Sequence, residues 1–279
     1  MSYVFIVGLE RCGTHSLVSA LKNSCLVSAY IKHEVVPCLC KEVHDLLATG
    51  DSSWQHSLEQ RVADYKWIAR NSHLVCEGNH RLGFFIKYLS DHLYNSKFIL
   101  LVRDPVSTIV SCIATLAHWP DIIDQYPDCF KEKISTLIPP EKEVFNKYRP
   151  KPPDLSKPLH ELYLWEWIET YRFTKNQLDS LNNRSSFLVV ETEGLNVSIG
   201  QIVNFIDSEY FDIRQAKKEV GFKLDSVYTD PLKADLLEFA IEVVAPHEDY
   251  IRDVIIQEFP DDTLVRRITG ESNGLIMYS

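Results

Sequence analysis

The sequence predicts an α/β protein with a central, mainly parallel β-sheet flanked by helices. Three observations lead there. Apolar runs of strand length recur along the chain, and segments with helical apolar spacing lie between them. Twice, an apolar run also passes straight into a helix, once through a glycine-bounded loop and once through a proline.

The first strand is Val4 to Val7, and a helix follows over Thr14 to Asn23 with Leu17, Ala20 and Leu21 on one face. Leu26 to Ile31 reads as the second strand. Trp54, Leu58, Val62, Tyr65 and Ile68 keep helical spacing, and Leu74 to Cys76 is a short third strand. Ile86, Leu89 and Leu93 mark another helix. Phe98 to Val102 is the clearest buried strand, because it is apolar without alternation, as parallel strands covered on both faces are. Pro105 suits the first turn of a helix carrying Val106, Ile109, Val110 and Ile113. Phe187 to Val190 is the last strand, and from about residue 196 the chain reads as helical.

One stretch breaks the rhythm. Eight of the thirteen prolines fall within residues 119–158, too many for a long regular element, so this span reads as an insertion or lid. At 279 residues, with 45% hydrophobic and 24% charged residues, a single domain over 1–279 is the expectation. No apolar run reaches membrane-spanning length and no signal peptide is legible, so the expected location is cytoplasmic, with no membrane partner. The seven cysteines read as free thiols, and Cys38-x-Cys40 is too closely spaced for a zinc knuckle, so no metal is expected. A net charge of −10 argues against nucleic acid and would tolerate a cationic small-molecule partner.

The chemistry concentrates in two places. Gly8 to Ser16 forms strand, glycine-bounded loop and helix, the arrangement in which backbone N–H groups of Gly13, Thr14, His15 and Ser16 can surround a phosphate. The Gly-x4-Gly spacing matches a nucleotide P-loop. However, Thr14-His15-Ser16 stands where a kinase carries Lys-[Ser/Thr], and the cation is Arg11 inside the loop. Arg11 can supply positive charge to a leaving oxygen without a metal. The second place is Arg103-Asp104-Pro105, with Ser111 almost two turns further on. Arg103 ends a strand where α/β sheets bind ligands and offers a fork suited to phosphate, and Asp104 can cap the helix.

With these residues the chain resembles the sulfotransferases that use 3′-phosphoadenosine-5′-phosphosulfate (PAPS). Gly8 to Ser16, with Arg11, Cys12, Gly13, Thr14, His15 and Ser16, resembles their 5′-phosphosulfate loop. Arg103 and Ser111 resemble their 3′-phosphate motif, including the spacing. Glu77 to His80, Lys97 to Val102, Trp165, Trp167 and Phe187 to Glu191 follow the family's order over roughly residues 3–192. The resemblance implies a P-loop NTPase-like sulfotransferase fold, PAPS as donor and the 3′,5′-bisphosphate PAP as product. His15 stands where many members of the family have Thr, and Arg11 stands where the phenol and steroid branch has Lys; that branch also carries a late glycine-rich segment not seen here. The chain therefore looks closer to the bacterial and carbohydrate-type branches.

Sulfuryl transfer needs a base for the acceptor's proton. His33-Glu34, expected just after the second strand, fits best, and His33 is the first candidate because imidazole titrates near neutral pH. Glu34, His80 and His15 come next. Glu34 and His80, together with His118 near the proline-rich span, are expected to touch the acceptor. Two other functions stay open on the residues alone: an ATP-dependent P-loop kinase, and a nucleotide-binding module without a competent base. The acceptor atom is open among hydroxyl, amine and carbamoyl nitrogen.

Overall fold

A computed structural model of the chain describes residues 1–9, 11–34, 53–117, 156–181, 183–225 and 231–270. His118, the Cys38-x-Cys40 pair and all but the last three residues of the 119–158 span lie outside the described residues.

Five strands form one wholly parallel sheet in the order β2-β3-β1-β4-β5. They are β1 (Ser2–Gly8), β2 (Ala29–His33), β3 (Leu74–Gly78), β4 (Ser96–Val102) and β5 (Phe187–Glu191). Every residue of β1 is buried. Successive side chains on a strand point to opposite faces, so both faces of the sheet centre are covered. Val4, Phe5, Ile6, Phe98, Ile99 and Leu101 are sealed from solvent. Three of the apolar runs of the sequence are therefore the inner strands β3, β1 and β4, while β2 and β5 form the edges.

Helices link the strands: α1 (Thr14–Ser24), α2 (Ser53–Ile68), α3 (Ile86–His92), α4 (Pro105–Ala117) and α5 (Leu159–Asp179). After β5 come α6 (Leu195–Ile206), α7 (Ile213–Asp225), α8 (Pro231–Val244), α9 (Glu248–Glu258) and α10 (Thr263–Ile268), as the helical C-terminal reading expects. Trp167 and Tyr171 on α5 are core residues, stacked with ring centroids 5.2 Å apart. Packing, rather than a stacking platform for a ligand, accounts for these two aromatics.

The second strand needs a correction. It runs over Ala29–His33, not Leu26–Ile31, and pairs with β3 from Ala29↔Leu74 to His33↔Gly78. Leu26 is 67% exposed and gives its N–H to Tyr210 O at 2.8 Å, outside the sheet. The shift makes His33 the last residue of the strand rather than the second beyond it.

The topology fixes where a ligand fits. After β1 the chain crosses toward β2 on one side of the sheet, and after β4 it crosses toward β5 on the other. The two strands are neighbours, with Gly8 opposite Leu101. Their connections therefore diverge at the carboxyl edge and leave a crevice between the β1–α1 loop and the β4–α4 junction. Both motifs singled out in the sequence meet there.

Candidate active site

The β1–α1 loop is held close to β4. A Cβ on Gly8 would lie 2.4 Å from Leu101 O and 2.5 Å from Cys12 Sγ, so only glycine fits. Gly13 has φ 89 and precedes α1, and no side chain caps that helix. The helical ladder starts with Leu17 N–H to Gly13 O, leaving the first-turn amides of Thr14 and Ser16 ahead of it. These amides, at the positive end of α1, can receive an anion. Cys12 contributes backbone only: its side chain is fully buried, and burial pushes the thiol up to about 12. Ser16 is half-buried on the first turn of α1.

Arg11 sits in this loop in the left-handed region, at φ 62. Such backbone is uncommon for a residue other than glycine and recurs at binding sites. Its Nε donates to Ser111 Oγ on α4 at 3.3 Å, and Arg103 Nη1 donates to Arg11 O at 3.2 Å. The two sequence motifs are thus in direct contact. Asp104 caps α4 through Ser107 N–H at 2.8 Å, as expected from its position. Its ion-pair partner is not Arg103 but Arg252 of α9, whose Nη1 lies 2.8 Å from Asp104 Oδ2.

The acceptor-facing candidates gather at the ends of β2 and β3. His33 Nε2 lies 3.1 Å from Thr14 Oγ1, and the His33 and His15 rings meet edge-on with centroids 5.0 Å apart. Burial lowers the pKa of His33 below 6.5, only partly offset by Glu34, so the imidazole is neutral at pH 7. Glu34, also left-handed at φ 46, pairs with His80 Nδ1 at 3.4 Å and more loosely with Arg81 at 4.0 Å. The hydrogen bond from His80 holds the Glu34 carboxyl down to about 2. Glu34 is therefore ionised, with the Arg81 guanidinium at 4.0 Å beside it. His15, His33, Glu34 and His80 thus lie in one cluster bordering the loop.

Behind this edge, Glu77 is fully buried in β3. Arg61 of α2 binds both its oxygens through Nη1, at 2.8 and 3.0 Å, Asn79 reaches it at 3.3 Å, and Tyr65 donates to it as well. Asn79 also accepts Arg81 N–H at 3.0 Å, which fixes the turn carrying His80 and Arg81.

Several contributors were not legible in the sequence. Thr192 and Glu193, just after β5, contact the first loop and Arg103 respectively, and Arg252 and Arg267 come from the helical C-terminal region. Glu191 pairs with Arg267. Among the described residues, no cluster of three or more His, Cys, Asp or Glu could hold a metal ion, and no helix is long and apolar enough to cross a membrane.

No protein-family model and no curated protein matches the chain. Solved structures that align with it include a sulfotransferase from Alicyclobacillus acidocaldarius, at 18% identity over 96% of this chain and 99% of that one, with a TM-score of 0.47. The sulfotransferase domain of the Synechococcus PCC 7002 olefin synthase aligns at 14% identity over 99% and 96%, with a TM-score of 0.44. The sulfotransferase domain from the curacin biosynthetic pathway aligns at 15% identity over 74% of each chain, with a TM-score of 0.41. Identities and scores this low leave the functional reading to the residues of the crevice.

Proposed function

We propose that this protein is a sulfotransferase that moves a sulfuryl group from PAPS to a hydroxyl or nitrogen of a small polar acceptor. The observation that carries the reading is the contact between the two anion motifs. A loop with its cation at Arg11, rather than a lysine after Gly13, touches Ser111 and Arg103 at a sheet switch point. One crevice thereby offers two positions for phosphate, which suits a nucleotide phosphorylated at both 3′ and 5′.

In this reading the first-turn amides of α1 hold the 5′-phosphate, and Arg103 with Ser111 holds the 3′-phosphate. PAPS supplies an activated sulfuryl group on its 5′-phosphate. Arg11 stabilises the negative charge that grows on the phosphate oxygen as its bond to sulfur breaks. His33 accepts the proton of the acceptor's hydroxyl or nitrogen as that atom bonds to sulfur. The products are the sulfated acceptor, PAP and protonated imidazole, which then returns its proton to water. His33 has the geometry for this, since burial keeps it neutral and it borders Thr14 of the loop.

The kinase alternative asks for a lysine directly after the second glycine, and Thr14 stands there with its hydroxyl on His33. Calorimetry with adenosine 3′,5′-bisphosphate and with ATP–magnesium separates the two. Tight binding of the bisphosphate is expected; tight ATP binding without it overturns the reading. Transfer of label from radiolabelled PAPS to any member of an acceptor panel then distinguishes an enzyme from a binding module.

A further inference from the structure

The turn after β5 reaches both anion motifs with consecutive residues. Thr192 N–H bonds Val102 O at 2.9 Å, one step beyond the strand ladder, and its hydroxyl donates to Cys12 O at 2.6 Å. Glu193 places one carboxylate oxygen 3.6 Å from Arg103 Nε, and the same oxygen accepts Asp104 N–H at 3.3 Å.

Arg103 is consequently held from several sides. Its carbonyl accepts Trp167 Nε1–H at 3.3 Å, its Nη1 is spent on Arg11 O, and its Nε faces Glu193. Among the described residues, its one guanidinium hydrogen bond is from Nη1 to Arg11 O, and the side chain keeps 29% exposure. A long side chain without such contacts spreads over many rotamers and loses that freedom on binding. Held between Arg11 O and the Glu193 carboxylate, the guanidinium keeps one place beside the first loop.

We propose that Glu193 is a positioning residue that holds the Arg103 guanidinium in place beside the first loop and so sets selectivity for a ligand bearing a second phosphate. This rests on the donor reading above, in which that phosphate is the 3′-phosphate. Glu193 acts through Arg103 and does not touch the ligand. Its negative charge has the opposite tendency, because a carboxylate beside an anion site repels the anion. Orientation and repulsion therefore predict opposite signs when Glu193 is replaced.

The test is calorimetry on the full chain with adenosine 3′,5′-bisphosphate and adenosine 5′-monophosphate. The monophosphate lacks the second phosphate and reports on the first loop alone. In Glu193→Ala the preference for the bisphosphate falls roughly tenfold, the size of one charge-assisted hydrogen bond, while monophosphate affinity holds. Glu193→Gln, which keeps an oxygen for Asp104 N–H and Arg103 Nε, recovers most of the preference. A preference that is unchanged or increased in Glu193→Ala overturns the proposal. So does an equal loss for both nucleotides, which marks general damage to the site. If the alanine variant fails to fold, Glu193→Asp keeps the charge but shortens the reach, and an undiminished preference there overturns the proposal as well. Wild-type protein that binds the two nucleotides equally overturns the donor reading itself, before any variant is made.

Discussion

Arg11 and Ser111 are joined by a hydrogen bond of 3.3 Å across a separation of 100 residues, from the first loop to the second helix of the site. Each residue has its own task in the proposed reaction, so the two are tested by different readouts. Ser111→Ala should weaken bisphosphate binding up to about tenfold by removing one hydrogen bond, and leave monophosphate binding intact. Arg11→Ala should lower turnover about 10²–10³-fold, as loss of a donor at a developing oxyanion does. Calorimetry and single-turnover transfer of radiolabel measure the two effects. Turnover retained in Arg11→Ala removes that residue from the chemistry.

A second expectation concerns pH. His33 has its pKa lowered from 6.5 by burial, so the neutral base persists across neutral pH and the rate falls only as pH drops below 6.5. Stability follows the same direction. The unfolded chain takes up the proton first, so the folded state loses stability as pH falls below 6.5. A kcat/KM profile with an acid limb that disappears in the residual activity of His33→Gln is the expected outcome. An identical limb in that variant assigns the base elsewhere, with His80 next to examine.

Gly8 offers a steric test. An added Cβ meets Leu101 O and Cys12 Sγ at 2.4 and 2.5 Å, and the first is backbone that cannot swing aside. Gly8→Ala should cost about 1–3 kcal/mol, an overpacking penalty, and should also weaken both nucleotides because the loop must lift from β4. Chemical denaturation and calorimetry report these separately. Unchanged stability would show that the loop moves more freely than its packing suggests.

The Glu77 network behind the His80 turn predicts a larger loss. Glu77→Ala leaves Arg61 buried at 7% exposure without its carboxylate, a change that costs about 3–5 kcal/mol. Replacing both Arg61 and Glu77 by apolar residues of similar volume should be much less harmful than the single change. Denaturation midpoints of the single and double variants decide it, and equal losses would contradict the pairing.

The sheet and the first loop were legible because short-range rules govern them. Unbroken apolar runs mark strands covered on both faces, and glycines at 8 and 13 mark a strand-to-helix turn. The start of β2 was misjudged because Leu26 is apolar yet exposed, and side-chain character alone cannot reveal which backbone groups pair with β3. Arg11, His33 and Arg103 were found because they sit within or beside those turns. Thr192, Glu193 and Arg252 were not, because their roles come from contacts 89 to 180 residues away in sequence. No local periodicity encodes such a contact. His118, expected near the acceptor, lies outside the described residues.

The bridges from the helical C-terminal region bear on how the protein is made. In the proposed reading the phosphate-facing residues lie within the first 111 residues, but the carboxylates of Asp104 and Glu191 are answered by Arg252 and Arg267. During synthesis the sheet and its anion loops emerge long before those arginines do. Until then the edge of the crevice carries uncompensated negative charge, which repels a polyanionic nucleotide. A nascent chain halted before residue 252 would therefore hold the donor poorly, and ligand-assisted folding would begin only once α9 and α10 have left the ribosome.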